Sequence, residues 1–249
     1  EKSWLAVKQN PHMSGAFVWS GFDFLGEPVP YQWPSRSSYY GIIDLAGFHK
    51  DVYYMYQSEW TQKPVLHLFP HWNWKKGQTV DVWAYFSQSD EVELFLNGKS
   101  VGIKTKNDSS LHAMWRLAFA PGQLKAVSRK NGKIVLESSI QTAGDASRIV
   151  LRSAQSELNR AENELGFVEI TVVDAMGIPV QTADNLISLS VQGVGKIAAT
   201  DNGNPTALSP FGIPNKQLFN GKLLAMLKTT GGKGQIILEA TSPGLKPAK

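Results

Sequence analysis

From Pro64 onward the chain alternates between apolar and polar positions. In TVDVWAYF, Val80, Val82, Ala84 and Phe86 fall on one face, and in EVELFL so do Val92, Leu94 and Leu96. A period of two marks strands with one buried face. VLHLF, AMWRLAF, LKAVSRK and KIVLESSI follow the same rhythm, which predicts six or seven strands over residues 63–143. Asn97-Gly98 and Asn131-Gly132 each separate two such runs. Asn-Gly is a strong hairpin signal, because both turn positions need positive φ. Pro121-Gly122 marks a further turn. An antiparallel sandwich of ~80 residues fits this spacing.

The small, polar stretch QTAGDAS (141–147) reads as a linker. After it the alternation restarts in RIVLRS, FVEITVVD, LISLSVQG, KIAATD, KLLAMLKTT and GQIILEATS, where Val168, Ile170 and Val172 alternate with Glu169 and Thr171. Turns are expected at 175–179 and 201–205, and a second sandwich over 144–249. ELNRAENELG (157–166) has helical propensity but is expected as a loop at a sandwich edge, since a lone helix of ~10 residues is marginal.

Residues 1–62 follow neither rhythm. AFVWSGFDF, bounded by Gly15 and Gly26, predicts a buried strand, and GEPVPYQWPS, with three prolines, an irregular loop. YYGIID predicts a second extended piece. HKDVYYMYQSEW predicts a helix that places Val52, Met55, Tyr56 and Glu59 on one face, with Asp51 at its positive end. Strand, loop, strand and helix make a poor domain. With 14 aromatics in the first 60 residues, this segment reads as the edge of a larger core.

Composition sharpens the division. All 8 Trp and all 7 Tyr, with 8 of the 11 Phe, lie in the first 119 residues, and only Phe167, Phe211 and Phe219 follow. A single core would not segregate its large side chains in this way. Net charge changes along the chain too: −2 over 1–60, +5 over 61–143 and +1 over 144–249. At 249 residues, with 42% hydrophobic and 18% charged side chains, the chain is globular, and no apolar run approaches a membrane span. The N-terminal EKSWLAVKQNPH holds no signal-peptide core, which leaves a cytosolic chain or a piece of a longer one. The absence of cysteine excludes disulfides and thiolate chemistry. A net charge of +4, with Lys75, Lys76, Lys99, Lys104 and Lys106 dispersed between turns, gives no nucleic-acid groove.

Paired carboxylates are the first chemistry to test, because glycoside hydrolysis needs two of them ~5 to 9 Å apart. Asp23, Glu27, Asp44 and Glu59 are the acids near the aromatics. Asp23 terminating its strand and Glu27 in solvent is the plainer reading. Histidines 12, 49, 67, 71 and 112 are scattered, and His67 and His71 flank Pro70 in strand-like sequence, so no metal site is expected. Trp and Tyr on loops are the second candidate, since a sugar's C–H face stacks on them. Trp19, Trp33 (beside Tyr31) and the pair Trp72/Trp74 qualify. Trp19 is equally a core residue, and Trp72 and Trp74 are expected to pack against the first region. DNGNP (201–205) lacks the later Glu of a calcium loop and is expected as a tight turn.

The string AFVWSGFDFLGEPVPYQWPSRSSYYGIIDLAGFHKDVYYMYQSEW resembles the last strand and helix of the catalytic barrel in glycoside hydrolase family 2, in particular β-galactosidases. PHWNW, EVELFLNGKSVG, DNGNPTALSPF and FNGKLLA resemble the same family's two C-terminal domains. The resemblance implies a mainly β chain: two immunoglobulin-like antiparallel β-sandwiches (63–143 and 144–249), preceded by a strand-loop-helix remnant of a (β/α)8 barrel (1–62). It further implies a C-terminal part of a retaining glycosidase acting on terminal β-glycosides, with the general acid/base and the nucleophile, both Glu, upstream of residue 1. No catalytic residue is then expected here, and no hydrolysis by the isolated chain. Trp19 matches the family's tryptophan at the end of the eighth strand, which lines the sugar pocket. Asp23 supports that strand end, and Trp33 borders the pocket rim. A carbohydrate substrate and the remainder of the barrel are the implied partners, with no cofactor, metal, nucleic acid or membrane. A periplasmic or secreted location is implied by likeness alone. The competing reading is a non-catalytic carbohydrate-binding or adhesion module.

Overall fold

The computed structural model describes residues 1–107, 109–159 and 164–249. The loop expected over 157–166 falls partly on residues outside that set. Among the described residues there are two helices, α1 (Lys2–Gln9) and α2 (Asp51–Trp60). The first seven strands are β1 (Leu66–Phe69), β2 (Thr79–Phe86), β3 (Glu91–Leu96), β4 (Lys99–Thr105), β5 (His112–Ala118), β6 (Gln123–Lys130) and β7 (Lys133–Gln141). The second seven are β8 (Arg148–Ser153), β9 (Leu165–Val173), β10 (Leu186–Gly193), β11 (Gly195–Asp201), β12 (Asn215–Gln217), β13 (Lys222–Thr229) and β14 (Ile236–Thr241). The chain forms two compact units: Glu1–Gly21 with His49–Thr142, and Phe22–Phe48 with Ala143–Lys249. Residues 1–62 are thus shared between the two.

In the first unit, sheets β1-β2-β5 and β4-β3-β6-β7 form an antiparallel sandwich of the immunoglobulin-like kind. The register sets Val82 opposite Trp115 and Ala84 opposite Ala113, and all four are buried. From the facing sheet, Val92, Leu94, Leu124 and Ala126 enter the same core. Trp115 Nε1 donates to Gly102 O on β4 at 3.0 Å, tying the two sheets together. Both expected hairpins form, with positive φ at Asn97 and Gly98 and at Asn131 and Gly132.

Trp72 and Trp74 correct an expectation. Trp72 is buried in this sandwich core, edge-on to Phe119 with ring centroids 5.1 Å apart, and its Nε1 donates to Ala120 O at 2.9 Å. Trp74 packs on the same core and donates to His71 O at 2.7 Å. The apolar side chains of the sandwich that meet α2 include instead Tyr85, Leu111 and Phe69, around the buried Met55. The reason is geometric: β1 ends at Phe69, and the chain beyond it carries Trp72 between the sheets.

Helix α2 buries the expected face, with Val52, Met55 and Tyr56 in one cluster. Asp51 lies in its first turn and pairs with His67 Nε2 at 2.7 Å. Helix α1 was not legible in the sequence, and Trp4 and Leu5 dock it into the same cluster.

The second unit repeats the plan in sheets β12-β10-β14 and β11-β13-β9-β8, all antiparallel. Its core is aliphatic: Ile149, Ile170, Val172, Ile187, Leu223 and Leu238 are buried together. Asp174 closes the 174–179 turn, accepting from Met176 N and Ile178 N, and accepts from Gly144 N at 2.9 Å. Hydrogen bonds from the backbone, Gly144 and Ile178 foremost, hold its carboxyl below the usual range.

Candidate functional site

The 16–24 segment does not join a sheet. Single bridges join Phe22 to Ile43 and Leu25 to Ser37, and Phe17 and Trp19 are exposed, Trp19 by 72%. The buried strand expected there is therefore an extended segment without a ladder. A strand that is apolar on both faces needs neighbours on both edges, and among the described residues no strand flanks it.

Each of the three expected sugar-site residues has a different setting. Trp19 lies in the first unit, next to a cis Trp19–Ser20 peptide bond. Asp23 and Trp33 belong to the second. Asp23 is 5% exposed, and its Oδ1 accepts from Gly41 N at 2.8 Å while its own N–H donates to Ile43 O at 2.9 Å. Gly41 lies so close to the Phe22–Asp23 backbone that a Cβ has no room. Asp23 therefore staples the two extended pieces, 22–25 and 37–43, together.

Trp33 is 91% exposed at the tip of the proline-rich loop. The loop beneath it is well ordered by its own bonds. Ser35 N donates to Gln32 O at 3.0 Å, Tyr31 N to Pro28 O at 2.8 Å, and Gly26 N to Arg36 O at 2.7 Å. An aromatic ladder runs from Tyr31 to Tyr39 (5.6 Å), Tyr40 (5.1 Å) and Phe24 (6.4 Å). Such a loop presents an aromatic face at little further entropic cost on binding.

The remaining acids have separate settings. Asp44 Oδ1 accepts from Ala46 N and Phe48 N, which makes it a turn cap. Glu27 is exposed at positive φ. Glu59 is buried, its side chain 5% exposed, and accepts from Trp4 Nε1 (3.2 Å), Lys8 Nζ (2.8 Å) and Lys106 Nζ (2.7 Å). Burial pushes its carboxyl upward, but the bonds from Lys106 and Lys8 outweigh that and leave it below the ordinary value. It is a structural hub.

DNGNP is a run of side-chain turns. Asp201 Oδ1 accepts from Gly203 N, Asn202 Oδ1 from Asn204 N, and Asn204 Oδ1 from Thr206 N. Among the described residues no group of three or more His, Asp or Glu is placed to hold a metal ion, and no helix is long and apolar enough to cross a membrane. An open groove of about 620 Å³ lies on the second unit between Phe22, Phe48, Phe167 and Met226; its acid, Glu169, is 3.5 Å from Lys222.

Sequence reasoning missed the contact that holds the Trp33 loop. Arg36 Nη2 donates to Ser209 O at 3.1 Å, and its guanidinium lies 5.7 Å from the centre of the Phe211 ring. Lys216 Nζ sits 5.4 Å from the same ring. The available signal was Phe211 itself, an isolated aromatic in the aromatic-poor half.

Comparison with known proteins decides the family. The description "Glycoside hydrolase family 2 C-terminal domain 5" matches residues 149–249, and a domain of unknown function, DUF4982, matches 77–136. The chain is 51% identical over its whole length to "Beta-galactosidase BoGH2A" of Bacteroides ovatus. It belongs to glycoside hydrolase family 2 and matches the family's C-terminal domains. A "Putative beta-glucuronidase" of Formosa agariphila is 37% identical over 91% of the chain. A β-glycosidase structure from Bacteroides vulgatus superposes over 99% of the chain with a TM-score of 0.93 and 36% identity. The chain spans 29%, 23% and 32% of the lengths of these three relatives.

Proposed function

We propose that the chain is the C-terminal part of a retaining, β-galactosidase-like enzyme that hydrolyses terminal β-glycosides of oligo- or polysaccharides outside the cytoplasm, in the periplasm or after secretion. In this reading residues 1–62 are the C-terminal end of the (β/α)8 barrel, and 63–143 and 144–249 are its scaffold sandwiches. Trp19 supplies an aromatic wall of the sugar pocket, Trp33 its rim, and Asp23 the staple that orients the segment after Trp19. The proton donor and the nucleophile belong to the rest of the enzyme. A carboxylate attacks the anomeric carbon as the acid protonates the aglycone oxygen and the glycosidic C–O bond breaks; the acid, now a base, then takes a proton from the water that displaces the carboxylate and frees the sugar.

The observation that carries the reading is Trp19: a large aromatic, 72% exposed, on a segment with the sequence of a doubly buried strand and no ladder of its own. A barrel strand meets both conditions once its neighbours flank it and a sugar stacks on its end. The preference for galactosides over glucuronides is supported by the higher identity to the β-galactosidase, 51% against 37%. The binding-module alternative loses its best platform, because Trp72 is buried in a sandwich core.

A 2-deoxy-2-fluoro-β-galactoside traps the glycosyl-enzyme of a retaining galactosidase. The parent enzyme is expected to take up one label, on a carboxylate outside these 249 residues, and the isolated chain none. Labelling of Asp23, Asp44 or Glu59 overturns the assignment.

A further inference from the structure

We infer that the 201–216 loop of the second sandwich locks the Trp33 loop, making Phe211, Arg36 and Lys216 positioning residues for the rim of the sugar site. The inference rests on the reading of Trp33 given above and extends it to a distant part of the sequence. The lock has two points. At the first, two cations approach the Phe211 ring, the Arg36 guanidinium at 5.7 Å and the Lys216 ammonium at 5.4 Å from its centre, and Arg36 also reaches Ser209 O. At the second, Gly203 abuts Asp44 so closely that a Cβ would collide with the carboxylate. Gly203 has φ +74°, a second reason for glycine there. Asp44 in turn caps the 44–48 turn.

Lys216 is 3% exposed, an expensive place for an ammonium group. It is compensated by a 2.8 Å bond to Thr200 O and by the field of Asp201. Thr200 anchors the same loop, receiving Lys216 at its carbonyl and donating to Ile213 O at 2.8 Å. The lever to the rim is short: Arg36 follows directly on the Gln32–Ser35 turn that carries Trp33. The apolar side chains of this stretch do little to anchor it, since Leu25, Val29 and Trp33 are exposed. The loop's own bonds set its shape, while the cation–aromatic contact and the glycine approach hold it to the 201–216 loop.

Two variants test this without opening a core: Phe211→Ala, at a half-buried ring, and Arg36→Gln, at an exposed side chain. In this chain, amide exchange at Gly26, Tyr31 and Ser35 is expected to speed up on the order of threefold to tenfold in either variant, with β9 and β13 unchanged. Phe211→Tyr is expected to restore protection. Unchanged exchange at those three amides overturns the lock. In the parent enzyme, Phe211→Ala is expected to raise KM for a galactosyl oligosaccharide by a similar factor and leave kcat within about twofold. Combined with Trp33→Ala it is expected to add nothing, because it acts through Trp33. An additive double variant, or an effect of Trp33→Ala with none of Phe211→Ala, overturns the inference alone. If Trp33→Ala itself leaves KM unchanged, the rim assignment of Trp33 falls with it.

Discussion

Glu59 offers a quantitative test of how the first unit is held. Its buried carboxylate takes one hydrogen bond from Trp4 and two from ammonium groups, Lys8 and Lys106, whose side chains are 48% and 29% exposed. Charged hydrogen bonds contribute about 1.5–3 kcal/mol each. The partially exposed lysines recover part of that by swinging into water, so the sum is discounted. Glu59→Gln keeps an oxygen for Trp4 and is expected to cost about 1–2 kcal/mol, while Glu59→Ala, which leaves Trp4 Nε1 unpaired, is expected to cost about 2–3 kcal/mol. The folded carboxyl lies below its ordinary value of 4.5, so its ionised form stabilises the fold above that value. That contribution is lost as pH falls through the lowered folded value. The gap between wild type and Glu59→Gln is therefore expected to be full at pH 7 and to close towards pH 3. Urea unfolding followed by tryptophan fluorescence reads the correct unit, because seven of the eight Trp lie in it. A gap at pH 7 below about 0.5 kcal/mol, or one that is equal at pH 7 and pH 3, refutes the ion-pair account.

Other outcomes follow from the same geometry. Trp72→Phe removes the bond to Ala120 O and part of a packed ring, and is expected to cost about 2–4 kcal/mol in urea unfolding; an unaltered midpoint contradicts its place in the core. Asp174→Asn removes a carboxylate stabilised by backbone donors, so the second unit is expected to unfold at lower urea at pH 7, with a smaller difference below pH 4. Gly203→Ala is expected to lower the melting temperature of the second unit, because it combines a positive φ with a collision at Asp44; an unchanged melting curve counts against the close approach.

The two sandwiches were legible because alternation is a local property. Val80, Val82, Ala84 and Phe86 declare their face without reference to any partner, and Asn-Gly marks its own hairpin. Another such pair, Asn220-Gly221, also turns with positive φ at both positions and carried the same signal unread. Helix α2 was readable from Met55 and its neighbours; α1, with Trp4 and Leu5 its main anchors, offers too short a pattern. The fate of the aromatics was harder. Trp72 and Trp19 look alike in sequence, yet one fills a core and the other faces solvent, because burial depends on which distant segments arrive. Trp33 and Asp23 stood out as a loop aromatic and an acid among aromatics, and the resemblance supplied their roles at the pocket. The Arg36–Phe211 contact joins residues 175 positions apart, beyond any periodicity.

The central claim is that Trp19 lines the sugar pocket of a glycosidase. Its most direct test is kcat/KM for a nitrophenyl β-galactoside in the parent enzyme with Trp19→Ala. Loss of an aromatic sugar platform is worth about 2 kcal/mol, so a fall on the order of 30-fold is expected at an unchanged melting temperature. An unchanged kcat/KM contradicts the account.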